Sequence, residues 1–409
     1  MARGGPRTAA TAAVLGLTLT LLTACVGGAS PATPSPSPTS TSPPPPSPSP
    51  SPSPTTTPVP PSPTPPSASP TGDPLAGWTL EQKVGQLVMV GLPVAGSRDV
   101  TERLVADRHV GGVFLSGRSH ADTAHVRALA DAYRALSPDP VPLLVATDQE
   151  GGSVRVLQGP GFSDIPPATA QVTLPGLEAQ ATTWGRELAA AGVDVDLAPV
   201  ADLVPPDLAD ANAPIGHFER NYGFTAPDVV AGASAFAQGL RAAGVIPTLK
   251  HFPGLGRVTA NTDTTAGVTD SVTTSHDASV GVFVDLLART SASAGPRPWV
   301  MVSTAIYAQI DPALPAAFSP AVVSLVRERL GFDGVVVTDD VSAARQVQAW
   351  SPGERAVAAV DAGCDLVLAS ADPSAADAML DALVDRARSD PAFAAKVDAA
   401  AARVAAARG

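Results

Sequence analysis

Runs of apolar, often β-branched residues recur along the chain, and each breaks off in polar side chains. Eight stand out, at 87–92, 112–115, 143–147, 193–198, 246–250, 299–304, 334–338 and 365–369. They are continuously apolar rather than alternating, the pattern of parallel strands buried on both faces. Ala-, Leu- and Arg-rich stretches with helical spacing lie between them, among them 177–191, 226–243 and 320–330. Another, 371–388, follows the last run. Thr79-Leu80-Glu81-Gln82 reads as a capping box opening the first helix. Eight strand–helix units predict an α/β fold, a TIM-type (β/α)8 barrel closed by right-handed crossovers. The alternative is an open doubly wound sheet. That fold announces itself by a Gly-rich phosphate loop after its first strand, and Val90-Gly91-Leu92-Pro93 is not one.

Composition divides the chain into three parts. Arg3 and Arg7 precede an apolar stretch over 12–22, too short for a comfortable membrane span. It ends in Leu22-Thr23-Ala24-Cys25, which resembles a bacterial lipobox. The resemblance implies a signal peptide over 1–24, cleavage before Cys25 and lipidation of its thiol. From about residue 31 to 74 the chain is almost only Pro, Ser and Thr. Such a stretch cannot offset its ordering entropy by burial. Polyproline II at ~3.1 Å per residue would let it reach on the order of 100 Å. The expected layout is a lipidated linker over 25–74 and a barrel over 75–409. The protein is thus expected outside the cytoplasm, anchored to the cell membrane through Cys25 alone, and monomeric.

Charge and cysteine usage narrow the chemistry. The net charge is −12, which argues against nucleic-acid or anionic-lipid binding. Only Cys25 and Cys364 are present, so the barrel has no internal disulfide. Lysine occurs three times, at Lys83, Lys250 and Lys396, so a lysine at a strand end stands out.

In a parallel barrel, chemistry sits at the C-terminal ends of the strands. The polar residues there are Asp148 and Glu150 after the third run, Asp202 after the fourth, and Lys250 and His251 at the fifth. Ser303 and Thr304 follow at the sixth, and Asp339 and Asp340 at the seventh. Arg220 lies in the long loop after the fourth. This is a rim of carboxylates with a few cations. No cluster has metal-ligand spacing, and neither metal nor cofactor is expected.

Lys250-His251-Phe252-Pro253-Gly254 resembles glycoside hydrolase family 3, and within it the single-domain β-N-acetylhexosaminidases. Thr147-Asp148-Gln149-Glu150-Gly151-Gly152, Asp196-Leu197-Ala198-Pro199-Val200 and Thr338-Asp339-Asp340-Val341-Ser342 are similar to further motifs of that family, in the same order. Ile215-Gly216 followed by Arg220-Asn221-Tyr222-Gly223 is similar to another, with an insertion. The resemblance implies that Asp148, Arg220, Lys250 and His251 hold the hydroxyls of a sugar ring. It implies that Asp339 attacks the anomeric carbon, giving a covalent glycosyl-enzyme that water releases with retention. The other reading of Asp339 is a helix cap, for which Asp340 is the better candidate.

Two departures from the family pattern matter. Its hexosaminidases carry Asp-Ser-His in the loop after the fifth strand, where the histidine is the general acid/base. The aligned residues here are Asn261-Thr262-Asp263. Asp263 is the expected replacement, provided that burial or the neighbouring Asp339 raises its pKa. The family's substrate-binding arginine falls at Val156, one position from Arg155. A one-residue shift in extended chain reverses side-chain direction, which weakens Arg155 as its counterpart.

The expected function is removal of terminal β-linked N-acetylglucosamine, with peptidoglycan fragments as the substrate that suits an anchored stalk. A β-glucosidase of the same family is the near alternative. A Schiff-base aldolase or lyase using Lys250 as amine nucleophile is a second class. A barrel that binds wall sugars without cleaving them is a third.

Overall fold

The computed structural model describes residues 75–291 and 294–408. The leader, Cys25 and the Pro/Ser/Thr-rich stretch lie outside the described residues. Eight parallel strands close into a barrel in sequential order: β1 Val88–Pro93, β2 Gly112–Ser116, β3 Leu144–Thr147, β4 Val195–Asp196, β5 Ile246–Phe252, β6 Trp299–Val302, β7 Val336–Asp340 and β8 Leu366–Ala369. Each coincides with one of the eight apolar runs. β4 is shorter than expected, although its hydrogen bonding continues from Asp194 N–H on Val145 O to Thr248 N–H on Ala198 O. β5 and β7 run further than expected, to Phe252 and Asp340.

Both faces of the strands are buried, as continuous hydrophobicity requires. One set packs outward against the helices, among them Val90, Leu115, Val145, Val300, Val336 and Val367. The other fills the barrel: Phe114, Leu144, Ala146, Leu197, Met301, Val337 and Leu368 belong to one interior cluster. Side chains alternate along a strand, so the inward set proceeds in steps of two. Leu144 and Ala146 lead to Asp148, Val335 and Val337 lead to Asp339, and Ile246 leads through Thr248 to Lys250. The polar side chains at the rim are therefore the next inward steps after a sealed core.

The helices begin where local chemistry allows. Thr79 caps Leu80–Gly85 with the reciprocal Gln82 bonds of a capping box. Ser319 and Ser351 cap Pro320–Glu328 and Pro352–Ala362, each with a proline in the first turn. The helix expected over 371–388 starts later, at Ala376–Ser389, because Asp372 and Pro373 first form a short 3-10 turn. The last helix, Pro391–Ala406, brings Val404 against the interior cluster at the N-terminal end of the barrel.

A buried carboxylate ties that end together. Asp365 is 1% exposed and accepts from Arg327 Nη2 at 2.5 Å, Arg403 Nη1 at 2.9 Å and Val336 N–H at 2.8 Å. It thereby joins two helices to β7 and β8. Asp365→Ala strands two guanidinium groups, of which both reach solvent in part. The expected cost is about 2–3 kcal/mol in urea unfolding. A change below about 0.5 kcal/mol would mean that these pairs contribute nothing net.

Candidate active site

The expected site residues come from five different segments, and the barrel brings all six to one pocket. Asp148, Arg220, Lys250, His251, Asp263 and Asp339 line a cavity of about 590 Å³ at the C-terminal ends of the strands. A cavity of about 650 Å³ at the opposite end includes Asp194 and Asp333, each locked in an ion pair with arginine. One of about 730 Å³ lies over apolar helix surface beside Val172 and Phe224. Size does not pick out the site; convergent titratable groups do.

The floor is organised by Glu150, which the sequence reading placed on the rim without a role. Its carboxylate accepts two bonds from Arg220, at 2.8 Å from Nε and 2.7 Å from Nη2. It also lies 2.6 Å from Lys250 Nζ, which donates to Asp148 Oδ1 at 2.7 Å. Burial would raise the Glu150 pKa, but Arg220 and Lys250 outweigh it and hold the carboxylate at about 2. Burial likewise opposes charge on Lys250, and Asp148 and Glu150 more than offset it, so its pKa is raised. An amine nucleophile must shed its proton at working pH. Lys250 is held as an ammonium ion, which removes the physical basis for the Schiff-base reading. The one sequence signal for Glu150 is its place two residues after Asp148, which in extended chain is the same face; its partners Arg220 and Lys250 are not local.

Local structure explains the Asp148-to-Gly152 segment. Asp148 points inward, whereas Gln149 turns out and clamps Leu157, donating to its carbonyl at 2.8 Å and accepting from its N–H at 3.0 Å. Gln149–Gly151 then pairs with Val154–Arg155 in a two-stranded hairpin that the sequence did not announce. Gly151 has φ +111°, and a Cβ there would lie 2.3 Å from Pro166 O. Asp196 accepts the Gln149 N–H at 2.9 Å. Burial pushes the Asp196 pKa up to about 8, so it adds little charge beneath the floor at neutral pH.

Lys250 and His251 both face the pocket where β5 shifts register between Leu249 and Phe252. Asp202, fully buried, accepts from the His251 and Leu255 N–H groups at 3.1 and 2.8 Å and lies 2.7 Å from His251 Nδ1. That contact fixes the ring and leaves Nε2 for the cavity. Arg220 is steered by its own loop, donating from Nη1 to Pro214 O at 2.7 Å. Ser303 and Thr304 are buried away from the cavity, and Ser303 bonds the Tyr307 hydroxyl instead. Arg155 also stays out, since it pairs with Asp164 at 2.7 Å.

The two neighbouring aspartates on β7 divide their work. Asp340 spends both oxygens on the loops that follow. It accepts from Ser342 Oγ at 2.7 Å, Ser370 N–H at 2.7 Å and Ala343 N–H at 2.9 Å. No helix begins here, so Asp340 is not the expected helix cap: the 3-10 turn Arg345–Val347 has no side-chain cap and Ser351 caps the next α-helix. Asp339 accepts only the Asp340 N–H, at 2.8 Å, and remains half-buried in the cavity. Burial raises its pKa, against the pull of His251 and the Asp340 N–H.

Asp263 sits at the mouth, open to solvent on one side and crowded by protein on the other. Partial burial first, then the charges of Asp339 and Asp340, push its pKa up to about 6. The Asp263 loop is pinned to the segment after β7. Arg345 N–H donates to Asp263 O and Gln346 N–H to Thr262 O, both at 3.0 Å. The Gln346 side chain bonds both backbone groups of Val268, at 2.8 and 3.0 Å. Gln346→Ala is expected to speed hydrogen exchange at the Val268 amide about 10- to 100-fold, since each bond contributes roughly 1 kcal/mol. Unaltered exchange would show that the loop is held by other means.

Comparison with known proteins agrees with this geometry. The model of the glycosyl hydrolase family 3 N terminal domain matches residues 79–407. A beta-hexosaminidase of Methylococcus capsulatus is 34% identical over 285 residues, covering 68% of this chain and 80% of its own. One from Vibrio cholerae is 34% identical over 278 residues, 67% of this chain and 79% of its own. The crystal structure of a beta-N-acetylhexosaminidase from Beutenbergia cavernae is 56% identical with a TM-score of 0.78, covering 81% of this chain and 98% of that one. A barrel matched over nearly all its length, with a pair of carboxylates facing a charged pocket, has one family reading: the chain belongs to glycoside hydrolase family 3.

Proposed function

We propose that the protein is a retaining β-N-acetylhexosaminidase that uses Asp339 as nucleophile and Asp263 as general acid/base. The observation that carries the roles is the placement of the two carboxyl groups on one cavity, Asp339 half-buried at the end of β7 and Asp263 at the mouth. Asp263 is pushed up to about 6 by burial and then by the charge of Asp339; burial raises Asp339 as well, against His251 and Lys250, which favour its anion. Two carboxyl groups on one cavity, one with cations beside it and one raised by its neighbour's charge, are what glycoside cleavage needs. The names of relatives at 34% and 56% identity support the acetamido sugar over glucose.

The chemistry then follows. Asp148, Lys250, Arg220 and His251 hold the ring by charge-assisted hydrogen bonds. The Asp339 carboxylate attacks the anomeric carbon as Asp263 gives its proton to the glycosidic oxygen. The carbon–oxygen bond breaks and the leaving group departs as an alcohol. Asp263, now a carboxylate, takes a proton from water as its oxygen attacks the same carbon. That step releases Asp339 and a sugar of retained configuration.

The test compares two variants on two substrates. Asp339→Ala is expected to lose at least ~1,000-fold in kcat on any β-N-acetylglucosaminide while remaining folded. Asp263→Ala is expected to lose far more on a disaccharide than on an activated aryl glycoside, and to be rescued by azide. The acid must be protonated to work, so kcat/KM on the disaccharide falls as pH rises through about 6. Asp263→Ala lacks that limb. A limb that persists in the variant would assign the proton to another group.

The wall-directed setting rests on the N-terminal sequence. A lipobox-like Leu22-Thr23-Ala24-Cys25 followed by a Pro/Ser/Thr stretch supports a membrane-anchored lipoprotein acting on peptidoglycan fragments. Cys25→Ser is expected to move the protein from the membrane fraction to the soluble extracytoplasmic fraction. Continued membrane association of that variant would defeat the lipid anchor.

A further inference from the structure

The end of the barrel opposite the active site holds a cavity that the catalytic chemistry does not use. Its volume is about 650 Å³, and it lies at the N-terminal ends of β3, β5, β6 and β7, beside the closing helix Pro391–Ala406. Leu144, Ile246, Val335 and Pro298 give it apolar walls. A polar group on such a wall costs free energy unless it finds a partner.

Most of the charges there have one. Asp194 pairs with Arg134 at 2.8 Å, Arg403 with Asp365 at 2.9 Å, and Arg297 with Asp333. Arg408 is different. Its Nη2 donates to Gly111 O at 2.7 Å, but its Nε and Nη1 are buried with no acceptor among the described residues. Among the described residues it is the one arginine of this wall without a carboxylate within 4.0 Å. Burial pushes its pKa down to about 10, and Asp139 and Asp194 offset that only in part.

Trp299 opens β6 and belongs to the interior cluster. It is 1% exposed and lines the same cavity, and its indole N–H has no acceptor among the described residues. An indole nitrogen only donates, and so does a guanidinium. The unsatisfied side-chain atoms on this wall are therefore all donors, and one group carries a positive charge. Water would accept from them and still leave that charge unmatched. Arg408 follows the last turn of the closing helix, where Ala406 is exposed and Arg408 itself half-buried. This edge of the wall can yield to an incoming group, since helix ends open at little cost.

We propose that this cavity is a second ligand site for a small organic anion, a monocarboxylate with an apolar body. Its carboxylate accepts from Arg408 and from the Trp299 indole, and its body lies against Leu144, Ile246, Val335 and Pro298. The site is independent of the hexosaminidase reading, since none of these residues lines the catalytic pocket.

The test follows the indole protons of the whole protein by NMR, with isotope label at its four tryptophans. The Trp299 peak is the one missing from Trp299→Phe. Should that variant not fold, it is the peak that no single replacement of Trp78, Trp184 or Trp350 removes. The probe is cyclohexanecarboxylate, which has no aromatic ring to move the peak by itself. Titration should shift the Trp299 proton downfield to saturation, and Arg408→Gln should raise the apparent Kd about 10-fold. Cyclohexylmethanol, of similar size but neutral, should bind at least about 10-fold more weakly than the acid. A Trp299 peak that stays in place under the acid overturns the site. So does equal affinity of wild type and Arg408→Gln, or of acid and alcohol.

Discussion

A closed parallel barrel offers each strand only two directions, inward to the core or outward to the helices, and the site depends on that constraint. Interior positions are filled by Leu, Val, Met, Phe and Trp until the strand ends, and the next inward step carries the chemistry. Asp148, Lys250 and Asp339 reach one cavity because each continues the inward parity of its strand. The core beneath them is apolar, so the buried charges next to it, Lys250 and Glu150, are stabilised by other side chains. Every cation and anion on the floor must therefore be matched.

Glu150 performs much of that matching. It lets Lys250 and Arg220 remain charged in a nearly closed site, and they in turn keep it ionised. Asp340 is neutralised differently, by backbone and hydroxyl donors, so it holds loops rather than substrate. Asp202 is spent on His251. With these carboxylates occupied, Asp339 and Asp263 are the two left facing open space. Their protonation is then set by each other and by burial, which suits an acid and a nucleophile.

Loops that are usually the mobile part of a barrel are pinned here by buried amides. Gln346 joins the Asp263 loop to the segment after β7, and Asn212 joins the Phe218 turn to the segment after β5. Gln346 satisfies one backbone N–H and one carbonyl, and Asn212 two of each, groups that would otherwise lie buried without partners. The result is a site assembled from loops that buried hydrogen bonds tie to neighbouring segments.

The sequence alone determined the strand count and the barrel, and it named six residues that the barrel brings to one cavity. Strand hydrophobicity and the polar breaks after it are local properties, set by burial on both faces and independent of the partners a strand later meets. The expected helix cap at Asp340 is absent, because no helix begins there and two of its partners, Ser370 and Ala371, lie about thirty residues on. What the sequence could not show was pairing. The hub role of Glu150, the Asp202–His251 contact and the exclusion of Arg155 through Asp164 all join residues that are distant in sequence or turned by a hairpin. Arg408 and Trp299 carried no signal beyond the last arginine of the chain and the first residue of an apolar run. Only the closed barrel places them on one cavity, and only there does an unmatched cation have a meaning. Hydrophobic patterning is read along the chain, whereas electrostatic matching is read across space, and the tertiary structure alone decides the second.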